Sequence, residues 1–184
     1  TVFTDGPEET VAYVWALDDA GARWEIAVDP ADAEDREYFV ETVLHEYFHY
    51  LSLNDTQVIY TSEQTLDTYN EPGMVTLADS YQEFWTGYLD DCLACDDTYN
   101  FFLRHCDDFI TPYASTDPSE DICESFAFFV LRPRDFRADE DVWSRKLDFF
   151  YQYPQLVAFR EEVRGNLGLA WGEYFESRQE ADAA

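Results

Sequence analysis

Asp35-Arg36-Glu37-Tyr38-Phe39-Val40-Glu41-Thr42-Val43-Leu44-His45-Glu46-Tyr47-Phe48-His49-Tyr50-Leu51-Ser52-Leu53 is the stretch on which both fold and chemistry turn. Its apolar positions Phe39, Val40, Val43, Leu44, Tyr47, Phe48 and Leu51 recur with the period of a helix. Inside it lies His45-Glu46-x-x-His49. Two histidines four residues apart share one helix face, one turn above the other. That spacing lets two imidazole nitrogens reach one zinc ion at about 2.0–2.1 Å. Glu46, on the same turn, then reaches a water on the metal and can take its proton. The chain has only three histidines, and two of them stand here.

Upstream, Thr10 to Leu17 alternates Val11, Tyr13, Trp15 and Leu17 with smaller residues and reads as a strand. Asp18-Asp19-Ala20-Gly21 is a turn signal, and Ala22 to Val28 reads as a second strand, so the pair predicts a hairpin. Asp29-Pro30 breaks the strand and suits a helix start. Asn54-Asp55 ends the long helix. Downstream, 54 to 75 reads as loop, and Leu77–Leu89, Thr98–Phe109, Asp117–Leu131, Trp143–Tyr151 and Gln155–Asn166 as helices. Arg132 to Asp141 reads as loop, and Glu173 to Ala184 as an acidic tail. A short β segment followed by helices is an α+β pattern. Within 184 residues it predicts one domain, with strands and the histidine-bearing helix over about 10–54 and a helical second half over about 77–170.

Forty acidic residues face ten arginines and a single lysine, Lys146, for a net charge of −29. So negative a field repels phosphate and anionic membrane surfaces, which argues against nucleic acid as a partner. It favours basic peptides, and it equally suits solubility or a high-salt environment, where self-repulsion is screened. No apolar run approaches the roughly 18 residues that span a membrane. No signal peptide is visible at Thr1, and the chain opens without Met, which reads as a processed or trimmed piece and leaves location open. The expectation is an extracellular or cell-envelope protein, monomeric in solution.

Of the four cysteines, Cys92 and Cys95 form C-x-x-C and Cys106 follows closely. A disulfide among these three fits a secreted protein, while a structural zinc site using His105 fits the same spacing. The fourth, Cys123, reads as a core thiol.

Catalytic zinc generally takes three protein ligands and a water, so a third ligand must come from outside the pentad. Asp55 lies six residues after His49, but Ser52 stands where a glycine would turn the chain back, and the helix pattern continues through Leu53. His105 is remote and flanked by Cys106 and Asp107-Asp108. Glu120 opens a helix, with Glu124 one turn later on the same face. A first carboxylate there can ligate metal while the second accepts the N–H of a zinc-bound imidazole, fixing its tautomer. The same residues also read as a helix cap, Asp117-Pro118-x-Glu120.

His45-Glu46-x-x-His49 followed by Tyr113-Ala114-x-x-Asp117-x-x-Glu120-Asp121-x-x-Glu124-Ser125-Phe126-Ala127 resembles the gluzincin metallopeptidases, and more narrowly the lethal-factor-like branch and related secreted bacterial zinc peptidases. The resemblance spans Ala22 to about Phe159, and its specific part is these two motifs. In that branch a tyrosine precedes the ligand glutamate by seven residues, an interval Tyr113 and Glu120 keep. The resemblance implies a mostly helical zincin-like domain binding one catalytic Zn2+ through His45, His49 and Glu120. It implies Glu46 as the base, Tyr113 as a hydroxyl donor to substrate and Glu124 as the partner of a ligand histidine. The implied activity is hydrolysis of peptide or protein substrates; a zincin-fold binding protein without turnover is the alternative. Two departures stand out: Phe48, where these families often have glycine, and Cys123, where alanine is common.

Overall fold

The expected hairpin forms as strands β1 (Ala12–Ala16) and β2 (Trp24–Val28), antiparallel with Val14 opposite Ile26. The computed structural model describes residues 1–5, 10–59, 64–65, 102–133 and 142–169. Asp18 makes the turn: its Oδ1 accepts from Ala22 N–H at 2.9 Å and its carbonyl from Gly21 N–H at 3.1 Å. Gly21 has φ 69°, a left-handed conformation that glycine adopts without steric cost. The far edge of β2 is paired by a parallel bridge from Val2 to Val28.

Asp29-Pro30 starts a single 3-10 turn, Pro30–Glu34, rather than the long helix. Helix α1 (Arg36–Leu53) begins one step later, where Asp35 accepts from Tyr38 N–H at 3.0 Å. It stops at Asn54, whose side-chain amide donates to the carbonyls of Tyr50 and Leu51. A second small sheet pairs β3 (Val58–Ile59) with β4 (Gln64–Thr65).

Helix α2 (Pro118–Leu131) is the buried axis of the molecule; Ile122, Cys123 and every residue from Phe126 to Leu131 are buried. Helices α3 (Val142–Phe149) and α4 (Pro154–Leu167) pack against it, joined by a 3-10 turn, Phe150–Gln152. The described residues are therefore α+β, with α1 lying between the hairpin and α2. Phe48, fully buried, stacks on Phe126 with ring centroids 4.1 Å apart and meets Phe150 edge-on at 5.5 Å. That wedge seats α1 against α2 immediately beside His49. Phe126, Phe128, Phe129 and Phe150 are core; Phe149, Tyr151, Tyr153 and Phe159 pack half-buried around them.

Buried cations hold both ends of this core. The last carbonyls of α2 lack intrahelical donors. Arg160 Nε donates to Phe129 O at 2.8 Å, its Nη2 to Arg132 O at 2.7 Å, and Arg164 to Leu131 O. Positive charge at a helix C-terminus also opposes the helix dipole. At the other end Lys146, fully buried, donates to Asp121 Oδ2 and to Asp108 O, each at 2.6 Å, and lies over the Phe109 ring. Burial pulls its ammonium below the ordinary lysine range, and Asp121 opposes that pull. Lys146→Met should cost about 3–5 kcal/mol by leaving a carboxylate buried without its cation. Lys146→Met/Asp121→Asn should regain much of that loss in denaturant unfolding, and a double variant no more stable than the single one would contradict the ion-pair account.

The helix expected over Thr98–Phe109 is described from 102, and it ends by 104. From there i to i+3 bonds take over, with Asp108 N–H donating to His105 O. The helix expected at Leu77–Leu89, Cys92, Cys95 and the acidic tail lie outside the described residues, as do most of the loops expected over 54–75 and 132–141. Among the described residues no helix is long and apolar enough to cross a membrane.

Candidate metal centre

All three residues of the pentad that carry chemistry lie on α1. Glu120 and Glu124 lie on α2, in its first two turns. The packing of Phe48 on Phe126 brings the two sets face to face. His45 Nε2 lies 3.1 Å from His49 Nε2 and 2.9 Å from Glu120 Oε2, which is 3.4 Å from His49 Nε2. Ligands at about 2.0–2.1 Å around a tetrahedral zinc stand roughly 3.3 Å apart. The three atoms therefore form close to one face of that tetrahedron, and the donor set fits zinc.

The hydrogen bonding points the same way. Glu124 Oε1 lies 2.7 Å from His45 Nδ1. An ionised carboxylate only accepts, so Nδ1 carries the proton and the lone pair of a neutral His45 sits on Nε2, facing His49 and Glu120. The lone pairs of His45 Nε2 and Glu120 Oε2, 2.9 Å apart, call for a metal ion or a proton between them. Without a metal, a proton does this work. Burial alone would lower His45, but its bonds to Glu120 and Glu124 outweigh burial and push it up to about 9. Burial alone would raise Glu120, yet the bonds from His45 and His49 hold it well below the usual carboxylate range.

A pH dependence follows for chelator-treated protein. His45 has a folded pKa above its unfolded value, so its contribution is complete below pH 6.5 and fades as pH rises through 9. The expected loss is about 3 kcal/mol between those limits, read as unfolding free energy at pH 6 and pH 9.5. Saturating zinc displaces the proton and should flatten that slope; a flat profile without zinc would contradict the assignment.

Both parts of the sequence pattern appear: Asp117 caps α2, accepting from Ser119 N–H at 2.8 Å with Pro in the first turn, while the Glu120 carboxylate faces the histidines. Asp55 is exposed in the turn after α1, its N–H donating to Gly21 O, and it is not brought to this cluster. Ser52 shows why: its hydroxyl bonds to Phe48 O, and α1 runs on without turning back. His105 lies beside Asp108, apart from the centre. Cys106 is exposed.

Glu46 borders a cavity of about 240 Å³, with Tyr38, Glu41, Thr42 and Tyr113 also in its wall. Burial pushes its carboxyl up, partly offset by the two histidines, and Val14 N–H of β1 bonds to it. Tyr113 stands on a 3-10 turn, Tyr113–Ser115, with its ring 5.7 Å from that of His45. Burial and the nearby Glu120, to which it hydrogen-bonds, raise its phenol pKa, so the hydroxyl keeps its proton as a donor.

Two further side chains approach this cluster. Cys123 is fully buried, and its sulfur lies within 4.8 Å of ligand atoms of His45 and His49. Its place one turn after Glu120 is the signal that marks it. Thr111 donates its hydroxyl to Glu124 Oε2 at 2.8 Å, and nothing in its sequence neighbourhood announces this. No family model, curated protein or solved structure matches the chain.

Proposed function

We propose that this chain is a zinc-dependent metallopeptidase of the gluzincin kind, hydrolysing peptide bonds in peptide or protein substrates. The observation that carries the reading is the triangle of His45 Nε2, His49 Nε2 and Glu120 Oε2, with edges of 2.9–3.4 Å and Glu46 beside it. These three residues would hold the metal. When bound, zinc supplies Lewis acidity and lowers the pKa of a water at its open position from 15.7 toward about 7. Glu46 takes a proton at its carboxylate and returns it to the departing amine; its raised pKa suits both transfers. Tyr113 donates its hydroxyl to the oxygen that gains charge during attack. Glu124 holds His45 in the tautomer that leaves Nε2 bare. The acidity of the chain favours basic substrates.

A second reading has one observation behind it. Were Cys123 a ligand beside the other three, four protein ligands would close the coordination sphere, as in structural zinc sites without turnover. The Glu120 carboxylate, 2.9 and 3.4 Å from the two Nε2 atoms, supplies the third ligand of the open-sphere reading without the sulfur. Metal analysis and digestion of a peptide library by the same preparation separate the readings. One zinc per chain, with cleavage lost to chelator and restored by zinc, supports the peptidase. One zinc with no cleavage favours the closed site. Protein never exposed to chelator that carries no zinc, and takes none up, overturns both.

A further inference from the structure

Behind the metal centre runs a directed chain of hydrogen bonds. Ala114 N–H donates to Thr111 Oγ1 at 3.0 Å. The Thr111 hydroxyl, its lone pair so engaged, donates to Glu124 Oε2 at 2.8 Å. Glu124 Oε1 accepts from His45 Nδ1 at 2.7 Å, leaving His45 Nε2 directed at His49 and Glu120. Each bond fixes the direction of the next, because the amide only donates and the carboxylate only accepts. Chains of this kind also strengthen one another in a partly buried setting. Glu124 is a flexible carboxylate held at both oxygens: one bond goes to the ligand histidine, the other to Thr111.

We infer that Thr111 is a positioning residue of the metal centre. It fixes the rotation of the Glu124 carboxylate and, through it, the tautomer and aim of His45. It also ties that carboxylate to the turn that presents Tyr113, since the amide it accepts from belongs to Ala114 of the same 3-10 turn. This inference rests on the metal-site reading above.

Zinc affinity measured against a competing chelator tests it, with melting curves alongside. Valine has the shape of threonine without the hydroxyl. Thr111→Val should weaken zinc binding about tenfold, the low end of what outer hydrogen-bond partners of metal ligands contribute, and Thr111→Ser should restore it. Because Thr111 acts through Glu124, adding Thr111→Val to Glu124→Ala should weaken binding no further. A purely structural role predicts an equal loss in both backgrounds and a lowered melting temperature in both, and that result overturns the inference. Should Thr111→Val fail to fold, Thr111→Ala takes its place in the same cycle. Wild-type protein that binds zinc, with Thr111→Val binding equally well, overturns this inference alone. Wild-type protein that binds no zinc overturns the metal site, and this inference with it.

Discussion

Glu46→Gln protein should bind zinc as tightly as the wild type and hydrolyse peptides slower by about 10²–10⁴-fold, the usual contribution of a positioned general base. The amide keeps the shape of the side chain and loses the ability to take a proton at neutral pH. Glu46 is not among the atoms of the His45–His49–Glu120 triangle, so the substitution leaves those three side chains in place. The measurement is a pair, zinc stoichiometry and initial cleavage rate on one preparation. Full zinc-dependent activity in this variant would remove Glu46 from the mechanism. Loss of zinc together with activity would mean that the carboxylate supports the metal instead.

Glu120→Ala should have the opposite signature. Removing the carboxylate leaves two imidazoles, too few for a tight zinc site. Affinity should fall by more than the 10–100-fold that outer hydrogen-bond partners contribute, because a direct ligand is lost. His45 also loses the partner that holds its pKa near 9, so its proton should leave closer to the ordinary histidine range. Zinc titration and the pH profile of the metal-free variant report these two effects separately. An unchanged metal content would send the search for a third ligand to Cys123, whose sulfur is already close to both histidines.

Local signals in the sequence foretold the elements that form through local rules. The hairpin follows from alternation and from Asp18 and Gly21; α1 and α2 follow from apolar periodicity bounded by Asp35, Asn54 and Asp117. The reach of Glu120 to His45 across 75 residues follows from no such rule; only the chemistry of zinc, which demands a third ligand, pointed there. Asp117-x-x-Glu120 is ambiguous in sequence because capping and ligation use the same residue types; in the fold Asp117 caps α2, and the packing of Phe48 on Phe126 turns the Glu120 carboxylate toward the histidines. Thr111 and Lys146 were illegible for the same physical reason. Each acts on partners 13 to 38 residues away, through contacts that exist only once α2 is seated.

The wedge of Phe48 between α1 and α2 would give a bound metal a second consequence. His45, His49 and Glu120, the residues that would hold it, come from helices that meet only in the folded molecule, so an unfolded chain would offer no comparable grip. Zinc bound there would work as a removable crosslink spanning a loop of 75 residues. Free metal at a hundred times its dissociation constant adds about 2.7 kcal/mol to folding. On the proposed metal reading, endurance against heat and proteolysis would follow ambient zinc, whether or not a peptide is ever cut.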